Sequence, residues 1–151
     1  MKIYHHVETI KTSEGISIHS LNDDINNAIE HSRVTEGFVV ISSRHTTTAI
    51  TINEYEERLL LDLKLWLEKL APKDQPYLHN DIEERDCPPD EPKNAHSHLM
   101  AMLMGSSETI PVTSRKMAIG EYQSVMLIDL DGPRQRTVNI QVIGDDKKPW
   151  E

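Results

Sequence analysis

Gly37-Phe38-Val39-Val40-Ile41-Ser42-Ser43-Arg44-His45-Thr46-Thr47-Thr48-Ala49-Ile50-Thr51-Ile52 is the stretch that decides the fold. Phe38–Ile41 is short, rich in β-branched residues and apolar on both faces, which reads as a central strand. Thr46–Ile52 is again rich in β-branched residues and reads as a second strand. Between them a buried-looking run gives way to a cation, an imidazole and hydroxyls. Upstream, residues 1–20 read as two strands, Ile3–Thr12 and then Ile16, Ile18 and Ser20 on one face, joined at Ser13-Glu14-Gly15. A helix follows, with Asn22 or Asp23 as N-cap and Ile25, Ala28 and Ile29 at i, i+3 and i+4.

Downstream, residues 55–70 form the clearest helix, stopped by Pro72. Leu59, Leu63, Trp66, Leu67 and Leu70 make its expected core stripe, and Leu61 and Leu65 lie opposite. The segment from Pro72 to Pro92 is rich in proline and acidic residues and reads as a long, irregular polar loop, of a length usually functional or disordered. A short helix is expected from Asn94 or Ala95 to about Met104, with Gly105 past its end. Strands are expected at Thr109–Thr113, Gln123–Leu130 and Thr137–Ile143, the last two forming a hairpin through Asp131-Gly132-Pro133. Six or seven strands with about three helices, not strictly alternating, give an α+β fold with a mainly antiparallel sheet.

The chain has 151 residues, which fits one domain spanning residues 1–151. Sixteen Lys+Arg against 25 Asp+Glu leave a formal charge of −9, which argues against a sequence-independent nucleic-acid binder. No apolar run approaches the length of a membrane span, and Met1–His6 has no signal-peptide core. One cysteine, Cys87, excludes an intramolecular disulfide and points to a reducing cytoplasm.

Four places concentrate polar chemistry. His45, at the end of a central strand, is either presented to a cleft or satisfied by local backbone. His79 and Asp81 share a side if their loop is extended, and an imidazole with a carboxylate suits zinc or another divalent ion. The alternative is a solvated acidic loop. His96 and His98 project about 200° apart on a helix, so one ion cannot take both. Asn94 and His98, at i and i+4, share a face, with Met102 four residues on. His98 is therefore the candidate ligand, against the alternative of a hydrogen-bonded core histidine. Asp62 falls in an apolar sector and needs a partner if buried, either a ligating histidine or an ordinary helix-flank ion pair. Ser106 and Ser107 after Gly105 offer hydroxyls to a phosphate from the wrong end of a helix dipole, and Arg134 offers a better-suited fork. No nucleotide-loop, dinucleotide, zincin or serine-hydrolase motif occurs.

Together these segments resemble a known family. His45-Thr46-Thr47 leading to Ile52-Asn53-Glu54, then Tyr77-Leu78-His79-Asn80-Asp81 and Asn94-Ala95-His96-Ser97-His98-Leu99, are similar to successive motifs of the YjbQ-like family, also called secondary thiamine-phosphate synthases. Gly105-Ser106-Ser107, Ile110-Pro111-Val112, Gly120 with Gln123, and Asp131-Gly132-Pro133-Arg134 continue the match in order, over about residues 10–143. The resemblance implies a small α+β fold, a homotrimer, and a cleft for a divalent metal (zinc, magnesium or manganese) or a small phosphorylated molecule. It implies His79, Asp81 and His98 as metal ligands, and His45, Asp62 and Gln123 as catalytic groups. Arg134, Ser106 and Ser107 would hold the anion, with Arg44 a further cation. Glu121-Tyr122 departs from the family's Thr-Trp. Arg115, or a neighbour, stands where a glycine is common, which predicts a different turn there.

Two functions follow as expectations. One is a transferase joining a pyrimidine diphosphate to a thiazole phosphate with release of pyrophosphate. The other is a non-catalytic trimeric protein that binds a metal or an anion.

Overall fold

Val39 and Ile41 alternate with Phe38 and Val40 along β3, and only the first pair is fully buried. The same alternation organises the whole molecule, described for residues 1–147 in a computed structural model. Its strands are β1 (Lys2–Lys11), β2 (Gly15–Ser20), β3 (Glu36–Ser43), β4 (Thr48–Asn53), β5 (Ser107–Thr113), β6 (Lys116–Met117), β7 (Ser124–Gly132) and β8 (Gln135–Asp145). The helices are α1 (Asn22–Ser32), α2 (Glu57–Leu70) and α3 (Ala95–Met104), with single 3-10 turns at Leu78–Asn80 and Ile82–Glu84. The fold is α+β, and every strand pairing is antiparallel. No helix among the described residues is long and apolar enough to cross a membrane.

The strands form two sheets rather than one: β1-β8-β3-β5-β6 and β2-β7-β4. Val39, Ile41, Ile140 and Val142 of the larger sheet pack against Ile50, Val125 and Leu127 of the smaller, with Leu21, Ile25 and Ile29 of the α1 region joining them. The opposite face of the smaller sheet, with Ala49, Met126 and Ile128, is covered by Leu67 of α2 and by Met100 and Ala101 of α3. The layers are therefore the larger sheet, the smaller sheet with α1 beside it, and α2 with α3.

Three sequence expectations are corrected. β7 and β8 do not form a hairpin. β7 pairs with β2 and β4 while β8 pairs with β1 and β3, so the Asp131–Arg134 segment is a corner between sheets. The chain is tight there: a Cβ on Gly132 would sit 2.0 Å from the Ser13 carbonyl oxygen. α1 carries Leu21 at its N-cap position with no side-chain bond; Asn22 instead accepts from the Val125 amide at 2.9 Å, tying the helix to β7. On α2 the inward residues are Leu60, Leu63 and Leu67, whereas Leu59, Trp66 and Leu70 are exposed. An apolar residue on nearly every side of α2 leaves the pattern unable to choose a face.

The turn at Ser114-Arg115 also differs from expectation. Val112 pairs with Met117 and Thr113 with Lys116, leaving a two-residue connection. Its residues have φ of +51° and +63°, so the left-handed turn is kept without glycine.

Candidate ligand-binding site

The site is assembled by the cap of α3. An α-helix begins with backbone N–H groups that lack intrahelical acceptors. Asn94, in the cap position, makes no side-chain cap bond. Asn80 supplies one from the preceding loop, its Oδ1 accepting from the Ala95 amide at 3.1 Å. This bond docks the 3-10 turn Leu78–Asn80 on the helix start and brings His79 to His98. Their ring centroids lie 4.7 Å apart at an interplanar angle of 75°. His79 Nε2 is buried there with no hydrogen-bond partner.

Asn94 turns its amide the other way. Its Nδ2 donates to Asp131 Oδ2 at 2.8 Å, and its Oδ1 is buried and unpartnered. The Arg134 guanidinium donates to the same Asp131 oxygen at 2.9 Å and to the Asp131 carbonyl at 3.0 Å. Asp131 thus ties the inter-sheet corner to α3. Burial, then the neighbouring His79, push the His98 pKa down, against the Asp131 charge and the Thr46 backbone, which raise it.

Beneath the corner lies a network that the motifs did not reveal. Arg136 is 4% exposed and Asp129 not at all. The guanidinium donates from Nε to Asp129 Oδ2 at 2.9 Å and from Nη2 to Asp129 Oδ1 at 2.7 Å. The second nitrogen also donates to Thr47 Oγ1 at 2.8 Å. Asp129 Oδ1 accepts the Asp131 amide at 2.9 Å, so the buried pair sets the backbone of the corner. Hydrogen bonds from Arg136, Thr12 and the Asp131 amide hold the Asp129 carboxyl below the usual range, although burial alone would raise it. The signal was present in the sequence as an acid inside the apolar run Val125–Leu130.

His45 sits where the β3–β8 ladder ends at Ser43. Its Nε2 accepts the Thr137 amide at 2.9 Å and lies 3.1 Å from Thr137 Oγ1. Burial, then the Arg136 charge, lower its pKa. Its acceptor nitrogen is therefore engaged by backbone, from a strand distant in sequence.

The remaining candidates are dispersed. Asp62 is exposed on α2 among the equally exposed Leu61, Leu65 and Trp66, away from His79 and His98 in sequence and element. Asp81 is exposed just after the turn that carries His79. Gln123 is exposed and accepts the Gly120 amide at 2.7 Å, closing a turn at the start of β7. Asp131 lies eight residues along the same strand, about 26 Å away at 3.3 Å per residue. Ser106 and Ser107 are exposed at the start of β5, where Ser106 accepts the Ser43 amide at 2.9 Å, near His45 rather than His79. Met102 is 73% exposed, so the His98 side of α3 is its margin and not its buried face. Among the described residues no three His, Cys, Asp or Glu side chains converge as a metal-holding group.

Comparison with known proteins matches this arrangement to one group. A family model described as UPF0047 protein YjbQ-like covers residues 6–145. A UPF0047 protein of Methanothermobacter thermautotrophicus is 37% identical over 144 residues, 95% of this chain and 94% of that protein. Another from Archaeoglobus fulgidus is 36% identical, over 89% of this chain and 98% of its own. A crystal structure from Sulfolobus solfataricus, described as YbjQ-like and of unknown function, superposes with a TM-score of 0.87 at 28% identity. It covers 95% of this chain and 99% of its own. A Clostridium acetobutylicum protein of the same family gives 0.82 at 32% identity, over 91% and 99%. The fold, the order of the motifs and the identities agree, and the chain belongs to the UPF0047 YjbQ-like family.

Proposed function

We propose that the protein binds a divalent metal ion at His79 and His98 and, through it, a small phosphorylated molecule. The observation that carries this reading is His79 Nε2, buried against His98 with no hydrogen-bond partner. An unsatisfied buried polar atom costs about 1–3 kcal/mol, which a bound ion would offset. Asn94 Oδ1, at the start of α3, is a second buried acceptor without a donor. Two imidazoles, with Asp81 exposed, favour zinc over magnesium or manganese, which prefer carboxylate and water. The ion when bound supplies positive charge for phosphate oxygens. Asp131 orients Asn94, and the remaining Arg134 donors beside it would meet an incoming anion.

The resemblance carries a finer reading, a weak thiamine-phosphate synthase using His45, Asp62 and Gln123. Those three are dispersed, with Asp62 on the exposed side of α2 and Gln123 at the far end of β7. That dispersal favours the non-catalytic binding protein. Leu61 and Leu65, 54% and 59% exposed, support a homotrimer in which α2 meets a neighbouring copy. A cytoplasmic setting keeps Cys87 a thiol.

Calorimetric titration of zinc into the wild type and three variants tests the reading. His79→Ala and His98→Ala should each lose more than about tenfold in affinity, and His96→Ala should match the wild type. Equal affinity in all four would sink the site. Incubation with the pyrimidine diphosphate and the thiazole phosphate then separates the two functions, since turnover would restore the transferase.

A further inference from the structure

His96 projects from the first turn of α3 about 200° away from His98. It faces a second cleft, of about 690 Å3, between α2, α3 and the Gly132 corner. A cavity of this size is in the range that holds a small organic ligand. Its floor is apolar, with Met100 and Leu130 buried and Ile16 partly so. Its rim is charged and carries one acid in excess: Glu14, Glu68 and Asp74 face Lys73 and Lys93, and Asp131 is already paired with Arg134. His96 Nδ1 is buried in its wall with no hydrogen-bond partner.

We propose that this cleft binds a small organic cation, an apolar or aromatic group carrying a protonated amine. The floor accounts for the apolar part, because burying it contributes roughly 25 cal/mol per Å2. Glu14, Glu68 and Asp74 account for the amine, since an excess of one sign along a recess concentrates the opposite charge there. An inorganic cation would gain nothing from Met100 and Leu130, and a carboxylate ligand would meet the excess of acids. The unpartnered imidazole nitrogen provides a site for a polar contact at the wall. The proposal does not use His79 or His98, which project from the other side of α3.

The test uses the full chain with EDTA present, so that bound metal plays no part. Benzylamine, benzoate and ammonium chloride are titrated separately, followed by backbone amide resonances. Benzylamine should shift the signals of Ile16, His96, Met100 and Leu130 saturably, while benzoate and ammonium leave them in place. Glu68→Lys and Asp74→Lys together, both at exposed positions, should weaken benzylamine by roughly tenfold or more. His96→Ala should weaken it as well, with zinc affinity retained. Equal binding of benzoate, equal binding of ammonium, shifts centred elsewhere, or no effect of the charge reversals would each overturn the proposal.

Discussion

Asp129 of β7 and Arg136 of β8 join the two sheets through a bidentate ion pair that solvent does not reach. Removing one member strands the other. Arg136→Met or Asp129→Asn should each destabilise the fold by about 3–5 kcal/mol, the usual cost of breaking a buried pair. Replacing both with apolar residues of similar volume should recover much of that loss. Urea unfolding of the two single variants and the double variant measures it. Additive losses would show that the pair does not act as a unit.

The Ser114-Arg115 turn offers a stabilising change. Both residues hold left-handed backbone, which costs a residue with a side chain about 1–2 kcal/mol. Asn and Gly are the preferred pair for such a turn. Ser114→Asn with Arg115→Gly should therefore raise the midpoint of thermal unfolding by several degrees, roughly 2–4 °C per kcal/mol for a chain of this length. Thermal unfolding by circular dichroism reads the shift, and a fall in midpoint would count against the turn assignment.

Acid should unfold the protein in two stages. His19, His45, His96 and His98 all have their pKa lowered from the ordinary histidine value of about 6.5, in each case chiefly by burial. A histidine that resists protonation when folded binds more protons unfolded, so stability rises with pH in the window below 6.5 and is lost on acidification. Asp129 acts in the same direction but lower. Its carboxyl is held below 3.8, so its contribution is present above that value and lost as pH falls through the folded pKa. Urea midpoints from pH 8 down to pH 3 should decline first below about 6.5 and again below about 4. A flat profile between pH 7 and 5 would contradict the histidine part.

The exposed leucines of α2 set the fourth expectation. Sedimentation equilibrium at micromolar concentration should give three times 17.3 kDa. Leu61→Lys with Leu65→Lys should reduce it to the single-chain mass without loss of helix signal. A wild-type mass of 17.3 kDa would remove the assembly altogether.

Much of the fold was legible because alternation along the strands is set by burial alone. β3, β4 and α3 fall where Phe38–Ile41, Thr46–Ile52 and Ala95–Met104 placed them. The partners of those strands were not legible. Asp131-Gly132-Pro133 signals a reversal of direction, and turn chemistry is the same for a hairpin and for a corner between sheets. The stripe on α2 failed for another reason, since leucine lies on almost every side of it and only the fold chooses among them. At the site, spacing separated His96 from His98 on opposite sides of one helix. It was silent on Asn80, whose cap on Ala95 depends on where a long loop returns. Asp129 was visible as an isolated acid among apolar residues, but its partner Arg136 became identifiable only once two strands were assigned to different sheets.

The position of β8 between β1 and β3 has a consequence for biosynthesis. A ribosome delivers β1 first and β3 soon after, yet β1 has no neighbour, and β3 only β5, until residues up to 145 have emerged. The larger sheet lacks its middle throughout that interval, with two apolar strand edges open to other chains. Completion of the larger sheet therefore waits for β8. A chain interrupted before β8 would be a substrate for chaperones and proteases rather than a smaller version of the protein.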